Sequence, residues 1–122
     1  MKYTLSFCEI EQLSDTMFEV TINDGAVIDE ICAEEASAFW NNLRTEPYVL
    51  LVNNKHRFTY SFMGSQKIGE YPLERKTAVL VGDHISSHQV ETVLELKKMA
   101  GNSENRKVFT NRDEAIKWLE IP

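Results

Sequence analysis

Tyr48-Val49-Leu50-Leu51-Val52 decides the fold. The run is continuous in aliphatic and β-branched side chains and lacks the polar alternation of a half-exposed strand. Such runs belong to a central strand covered on both faces. Thr77-Ala78-Val79-Leu80-Val81 is a second run of the same kind, closed by Gly82-Asp83. Before the first run the period is helical. Ala36, Phe39, Trp40 and Leu43 stand at i, i+3, i+4 and i+7 and so share one face. Glu34 and Glu35 fall in the expected first turn, where the helix dipole favours negative charge. Pro47 bars continuation and ends the helix near Arg44 or Thr45.

Towards the N-terminus, Tyr3, Leu5 and Phe7 alternate with Thr4, Ser6 and Cys8, and the stretch Met17–Ile22 alternates again. Gln12-Leu13-Ser14-Asp15 supplies turn chemistry between them and Asn23-Asp24-Gly25 ends the second strand, which predicts a β-hairpin or meander. After Asn53-Asn54, the residues Phe58, Phe62, Met63 and Lys67-Ile68 predict a short helix from about Ser61 to Gly69, weakened by Gly64. Ser86-Ser87-His88-Gln89 is a capping-box pattern. Val90, Val93, Leu94 and Lys97 form the stripe behind it, and Gly101 stops that helix. Arg106–Phe109 reads as a short strand. Thr110 then caps a last helix with Asp113 at the third position and Ala115, Trp118 and Leu119 on its apolar face. The order is β-β-α-β-α-β-α-β-α. It predicts an α/β fold: a mostly parallel mixed sheet of about five strands with helices packed on it.

The 122 residues suit one domain, 1–122, and 43% hydrophobic with 26% charged residues is ordinary for a globular chain. No apolar run approaches the ~18 residues of a membrane span. Met1-Lys2-Tyr3-Thr4-Leu5-Ser6 lacks the apolar stretch of a signal peptide, so the expected location is cytoplasmic. The net charge of −6 argues against nucleic acid, because Lys55-His56-Arg57, Arg75-Lys76 and Lys97-Lys98 are too short to track a phosphate backbone. Cys8 and Cys32 make neither a disulfide framework nor a zinc site, and both read as buried free thiols.

The ending Val108-Phe109-Thr110-Asn111-Arg112-Asp113-Glu114-Ala115-Ile116-Lys117-Trp118-Leu119 resembles that of small bacterial proteins of the STAS (SpoIIAA-like) superfamily. Their closing signature runs Phe-Thr/Ser-Asp-x-x-Glu-Ala-x-x-Trp-Leu. The element order, and the stretch from Tyr60 through Gly69 followed by the Thr77–Val81 strand, resemble them too. The resemblance implies the SpoIIAA-like fold. It does not fix a function, because the group includes anti-sigma factor antagonists, transporter tails and CRAL-TRIO lipid carriers. Phe62-Met63-Gly64-Ser65-Gln66-Lys67-Ile68-Gly69 is also similar in spacing to the Met-Asp-Ser-x-Gly-Leu-Gly segment of the antagonists, whose Ser is phosphorylated by a partner kinase. The resemblance puts Ser65 at that position, although Gly64 replaces the Asp and Lys67 the first Gly. An ordinary surface serine is the other reading of Ser65.

No P-loop, dinucleotide fingerprint, nucleophile elbow or His-Glu-x-x-His motif occurs. His84 and His88 are four apart, but His84 precedes the expected helix cap and no further metal ligand is evident, so no metal or other cofactor is expected. Asp83 closes a parallel strand, at the end where open α/β sheets bind ligands. That makes Asn53, Asn54, Asp83, His84, Thr110 and Asn111 the candidate crevice for a small molecule, with no nucleophile and base assembled there. Phe39, Trp40, Tyr60, Phe62 and Trp118 read mostly as core. The expectation is a non-catalytic regulatory or protein-interaction module with an unnamed protein partner or a second copy of itself. The alternative is a carrier of a small apolar or lipid ligand in a cavity of at least ~300 Å³.

Overall fold

The structure, a computed structural model, describes residues 1–54, 56, 58–67, 71–81 and 105–121. Its elements are β1 (Lys2–Thr4), β2 (Cys8–Gln12), β3 (Met17–Ile22), β4 (Val27–Ile28), α1 (Glu30–Leu43), β5 (Tyr48–Asn54), β6 (Thr59–Tyr60), α2 (Phe62–Lys67), β7 (Glu74–Val81), β8 (Arg106–Phe109) and α3 (Arg112–Glu120). Six strands form one mixed sheet in the order β1-β2-β3-β5-β7-β8, and β4 pairs with β6 in a small parallel ladder. The first three strands are an antiparallel meander, whereas β3-β5-β7-β8 are all parallel. The expected α/β fold with a mixed sheet is therefore present.

Both faces of β5 are covered, as its unbroken apolar run requires. Tyr48 and Leu50 face α1, in a cluster with Phe18, Ile10, Trp40 and Ala36. Val49 and Leu51 face the other way, against Met17, Ala78, Ala115 and Leu119. Leu51 is 0% exposed. On the α1 side Trp40 stacks on Tyr48 at 4.8 Å between centroids and meets Phe18 edge-on at 5.1 Å. The Arg44 guanidinium lies 5.3 Å from the centre of the Phe18 ring and closes the bottom of this aromatic stack. Beside it, a buried Arg106–Glu74 ion pair at 3.3 Å ties the start of β8 to the start of β7.

Several boundaries differ from the sequence reading. The alternating stretch 3–8 is not one strand. The chain turns after Thr4, where the Leu5 N–H donates to the Cys8 carbonyl at 2.9 Å, and Cys8–Gln12 returns as β2. Phe7 is buried within that turn, which mimicked strand alternation, and the separate β2 brings the sheet to six strands among the described residues. Helix α1 starts earlier than expected. Asp29 caps it by accepting from the Cys32 N–H at 2.9 Å, which puts Glu30 in the first turn and Glu34 and Glu35 beyond it. Its end is as expected, with Arg44 at the C-cap. Asn111 rather than Thr110 caps α3, its Oδ1 accepting from the Glu114 N–H at 3.1 Å. The expected helix behind Ser86 lies outside the described residues, as do His84 and His88.

Gly64 in α2 is a packing requirement rather than a weakness. A Cβ there would overlap the carbonyl oxygen of Ile28 and come within 2.9 Å of Asp29 Cα, both of them backbone. Neither can swing aside, so Gly64→Ala is expected to cost about 2 kcal/mol through overpacking. Urea unfolding checks it, and an unchanged midpoint would refute the close approach.

Cys8 and Cys32 are free and buried, as the sequence indicated. Burial above all, aided by the Glu35 carboxylate, pushes the Cys8 thiol from an ordinary 9.0 up to about 12. The unfolded chain ionises this thiol above 9 while the folded one keeps its proton, so the unfolded state binds fewer protons. The stability contribution is thus complete below pH 9 and is lost as pH rises towards 12. The urea midpoint should fall over this alkaline window, and fall less steeply in Cys8→Ala. Equal slopes would remove Cys8 as the source.

Candidate functional site

Parallel pairing brings the C-terminal ends of β5, β7 and β8 to one edge of the sheet, with Asn53 opposite Leu80, Asn54 opposite Val81, and Leu80 opposite Phe109. Four of the six crevice candidates are therefore placed near this edge: Asn53 and Asn54 end β5, and Thr110 and Asn111 follow β8. Asp83 and His84 lie outside the described residues. Strand alternation sends the two asparagines to opposite faces, so they do not act together.

Asn53 lies on the α3 face. Its Nδ2 donates to Glu19 Oε2 at 2.9 Å, and Arg112 Nη2 donates to Glu19 Oε1 at 2.8 Å. That hydrogen bond pushes the Arg112 guanidinium further above its ordinary value, fixing its charge. Beside this triplet is a groove of about 360 Å³ whose lining includes Lys2, Glu9, Glu11, Glu19, Thr21 and Asn53. Glu11 stands opposite both Lys2 and Glu19, and Thr21 opposite both Glu9 and Asn53, so the groove crosses β1, β2, β3 and β5. The sequence reading missed it because β2 itself was missed. Its charged lining does not match the apolar cavity that a lipid carrier needs. Asn111 and Thr110 are exposed, and the Asn111 side chain is already used as a cap. No group of three His, Cys, Asp or Glu side chains converges on a metal position among the described residues.

Asn54 points to the α1 face. It is 1% exposed, and neither its Nδ2 nor its Oδ1 has a hydrogen-bond partner among the described residues. A buried amide in that state costs free energy.

The second feature is where α1 and α2 begin. The parallel pair β4 and β6 sets Val27 beside Thr59 and Ile28 beside Tyr60. Each strand then passes through a capping residue into a helix. Asp29 takes the N–H of Cys32 at 2.9 Å, and Ser61 takes the N–H of Gly64 at 3.0 Å. The Ser61 N–H donates to the Ile28 carbonyl at 3.0 Å, and Lys67 Nζ reaches Glu30 at 2.6 Å. Two strand–cap–helix units thus lie side by side in the same orientation. Within these units Val27 on β4 is 57% exposed, Ile31 in the first turn of α1 73%, and Phe62 and Met63, which open α2, 68% and 42%. Phe62 is therefore not core, unlike the buried Trp40. Gly64 is the α2 residue pressed inward, and Phe62 lies two positions, about 200° of helix, away from it. Ser65 is the fourth residue of α2, one beyond the turn that Ser61 caps.

No family model matches this chain, and no curated protein matches it. A solved structure does. The crystal structure of an uncharacterized DUF3478-family protein with a SpoIIAA-like fold, from Shewanella loihica PV-4, matches over 98% of each chain with a TM-score of 0.54 and 14% sequence identity. The chain therefore has a SpoIIAA-like α/β fold, in accord with the resemblance read from its sequence. At this identity the likeness speaks for fold alone. No helix among the described residues is long and apolar enough to cross a membrane.

Asn54→Leu replaces an unpaired buried amide with an apolar side chain branched at the same atom. It is expected to stabilise the fold by about 1 kcal/mol. A thermal melt checks this, and a clear loss of stability would show that the amide is needed.

Proposed function

We propose that this chain is a non-catalytic regulatory module that works by binding another protein through the surface where α1 and α2 start. One observation carries the reading: the exposed large apolar residues Val27, Ile31, Phe62 and Met63 all belong to the two adjoining units β4–α1 and β6–α2, whereas the other large apolar side chains of α1 and the sheet are mostly packed. Large apolar side chains gathered on a surface mark contact sites more often than single ones do. The surface is also firmly built. Both caps are satisfied, and backbone contact between Gly64 and Ile28 fixes one helix against the other. A preformed patch loses little order on binding, which favours association. The SpoIIAA-like fold is compatible with such a role without demanding it.

Photo-crosslinking in the native host tests the reading. A photoreactive residue replacing Phe62 should give a discrete adduct with another protein, and one replacing Lys117 on α3 should not. Adduct formation should fall severalfold when Ile31→Ser is added. Equal labelling from both positions, or none from position 62, would overturn the proposal.

A further inference from the structure

Apart from any partner, we infer that α3 is a strap that can lift from the sheet as a unit, held shut at its last turn by the Lys76 ammonium. The latch begins as an exception to the strand pattern. On β7, Lys76 pairs with Val49 and Ala78 with Leu51, so Lys76 stands with Ala78 and Leu80 in the row that faces α3. A half-buried lysine in an apolar row lays its stem along that surface and must send its charged head to an acceptor. It finds two. Nζ donates to the Trp118 carbonyl at 2.9 Å and to the Ile121 carbonyl at 2.7 Å, and it lies 4.9 Å from the centre of the Trp118 ring. Carbonyls at the end of a helix lack the partners that interior ones have, and the dipole there favours a cation.

Two features make α3 separable from the rest. The sheet divides the core, and the cluster of Phe18, Trp40, Tyr48 and Leu50 on the α1 side includes no residue of α3. Lifting α3 opens the smaller cluster around Val49, Leu51 and Ala78 and leaves the larger one closed. The helix is also short. Its buried side chains are Ala115 and Leu119, and nine residues do not sustain a helix alone in water. Contacts with the sheet therefore decide whether it stays formed. Charge pins it at both ends, to different strands. At the start, Arg112 bonds to Glu19 of β3 at 2.8 Å, and the Asn111 cap adds a second hold. At the end, Lys76 of β7 holds two neutral carbonyls with one ammonium. Loss of that charge releases the last turn first, and the helix follows from there.

Amide hydrogen exchange of the full chain tests this, with residues 116–121 as the reporter. Lys76→Met keeps an apolar stem and removes the charge. Exchange at 116–121 should then quicken about tenfold, as loss of hydrogen bonds from a charged donor implies. Amides of β3 and α1 should keep their wild-type rates. Lys76→Arg, which restores the charge, should restore most of the protection. Lys117→Gln removes a positive charge from the exposed side of the same turn and should change nothing. The wild-type chain in sub-denaturing urea gives a second reading should Lys76→Met fail to fold. There α3 should exchange with a shallower urea dependence than β5, because its opening exposes less surface. Unchanged exchange at 116–121 in Lys76→Met overturns the latch, and so does equal quickening in Lys117→Gln. The same urea dependence for α3 and β5 overturns the strap, because α3 would then open only with the whole fold.

Discussion

Burial of β5 on both faces is the constraint from which the rest of the molecule follows. A strand whose successive side chains are all apolar cannot leave either face to water, so both layers of helix are obligatory. Tyr48 and Leu50 require the aromatic wall of α1, and Val49 and Leu51 require α3. The neighbours obey the same demand. Ala78 on β7 and Ala115 on α3 are both fully buried, and two methyl-sized side chains facing each other let the helix lie close to the sheet. The apolar layers stop where the chain adds charge, and there the sheet opens to solvent.

That opening is organised electrostatically. Glu11 and Glu19 stand directly opposite each other on antiparallel strands, an arrangement that repels. Each is also given a cation: Lys2 faces Glu11 across β1 and β2, and Arg112 reaches Glu19 from α3. The resulting row sets two adjacent carboxylates between two flanking cations, across β1, β2, β3 and α3. Its members are partly exposed, so each pair contributes modestly, about 0–1 kcal/mol. The value of the row lies in register, because a one-residue slip of β2 would put Glu11 into the core and Ile10 into water.

Sequence reading succeeds here where hydrophobic period and element length agree. The two buried runs, the Ala36–Trp40 stripe and the Ala115–Leu119 face could be read because period-2 and period-3.6 patterns differ most in long, regular segments. The N-terminal meander was half legible. Phe7 is apolar because its turn is buried, which is a tertiary fact, and it extended a strand pattern past the point where the chain reverses. Cap positions slipped by a residue or more because Asp29, Thr110 and Asn111 are all good cap formers, and only geometry chooses among them. The candidate surfaces were less legible still. The polar groove depends on cross-strand register. The exposure of Phe62 depends on which side of a six-residue helix is pressed inward, and the sequence hint was Gly64, whose missing side chain marks the contact.

The paired helix starts have a mechanical consequence. Ser61 is bonded to the Ile28 carbonyl, Gly64 rests on the Ile28 and Asp29 backbone, and Lys67 is tethered to Glu30. Three ties of different kinds therefore join α2 to the first turn of α1. Helix α1 has 14 residues, a rigid rod of about 21 Å, and its far end carries Trp40 against Tyr48. The two helices cannot be displaced separately at their shared end. A force applied to α2 loads α1 along its length and is felt in the aromatic stack at the opposite end of the sheet.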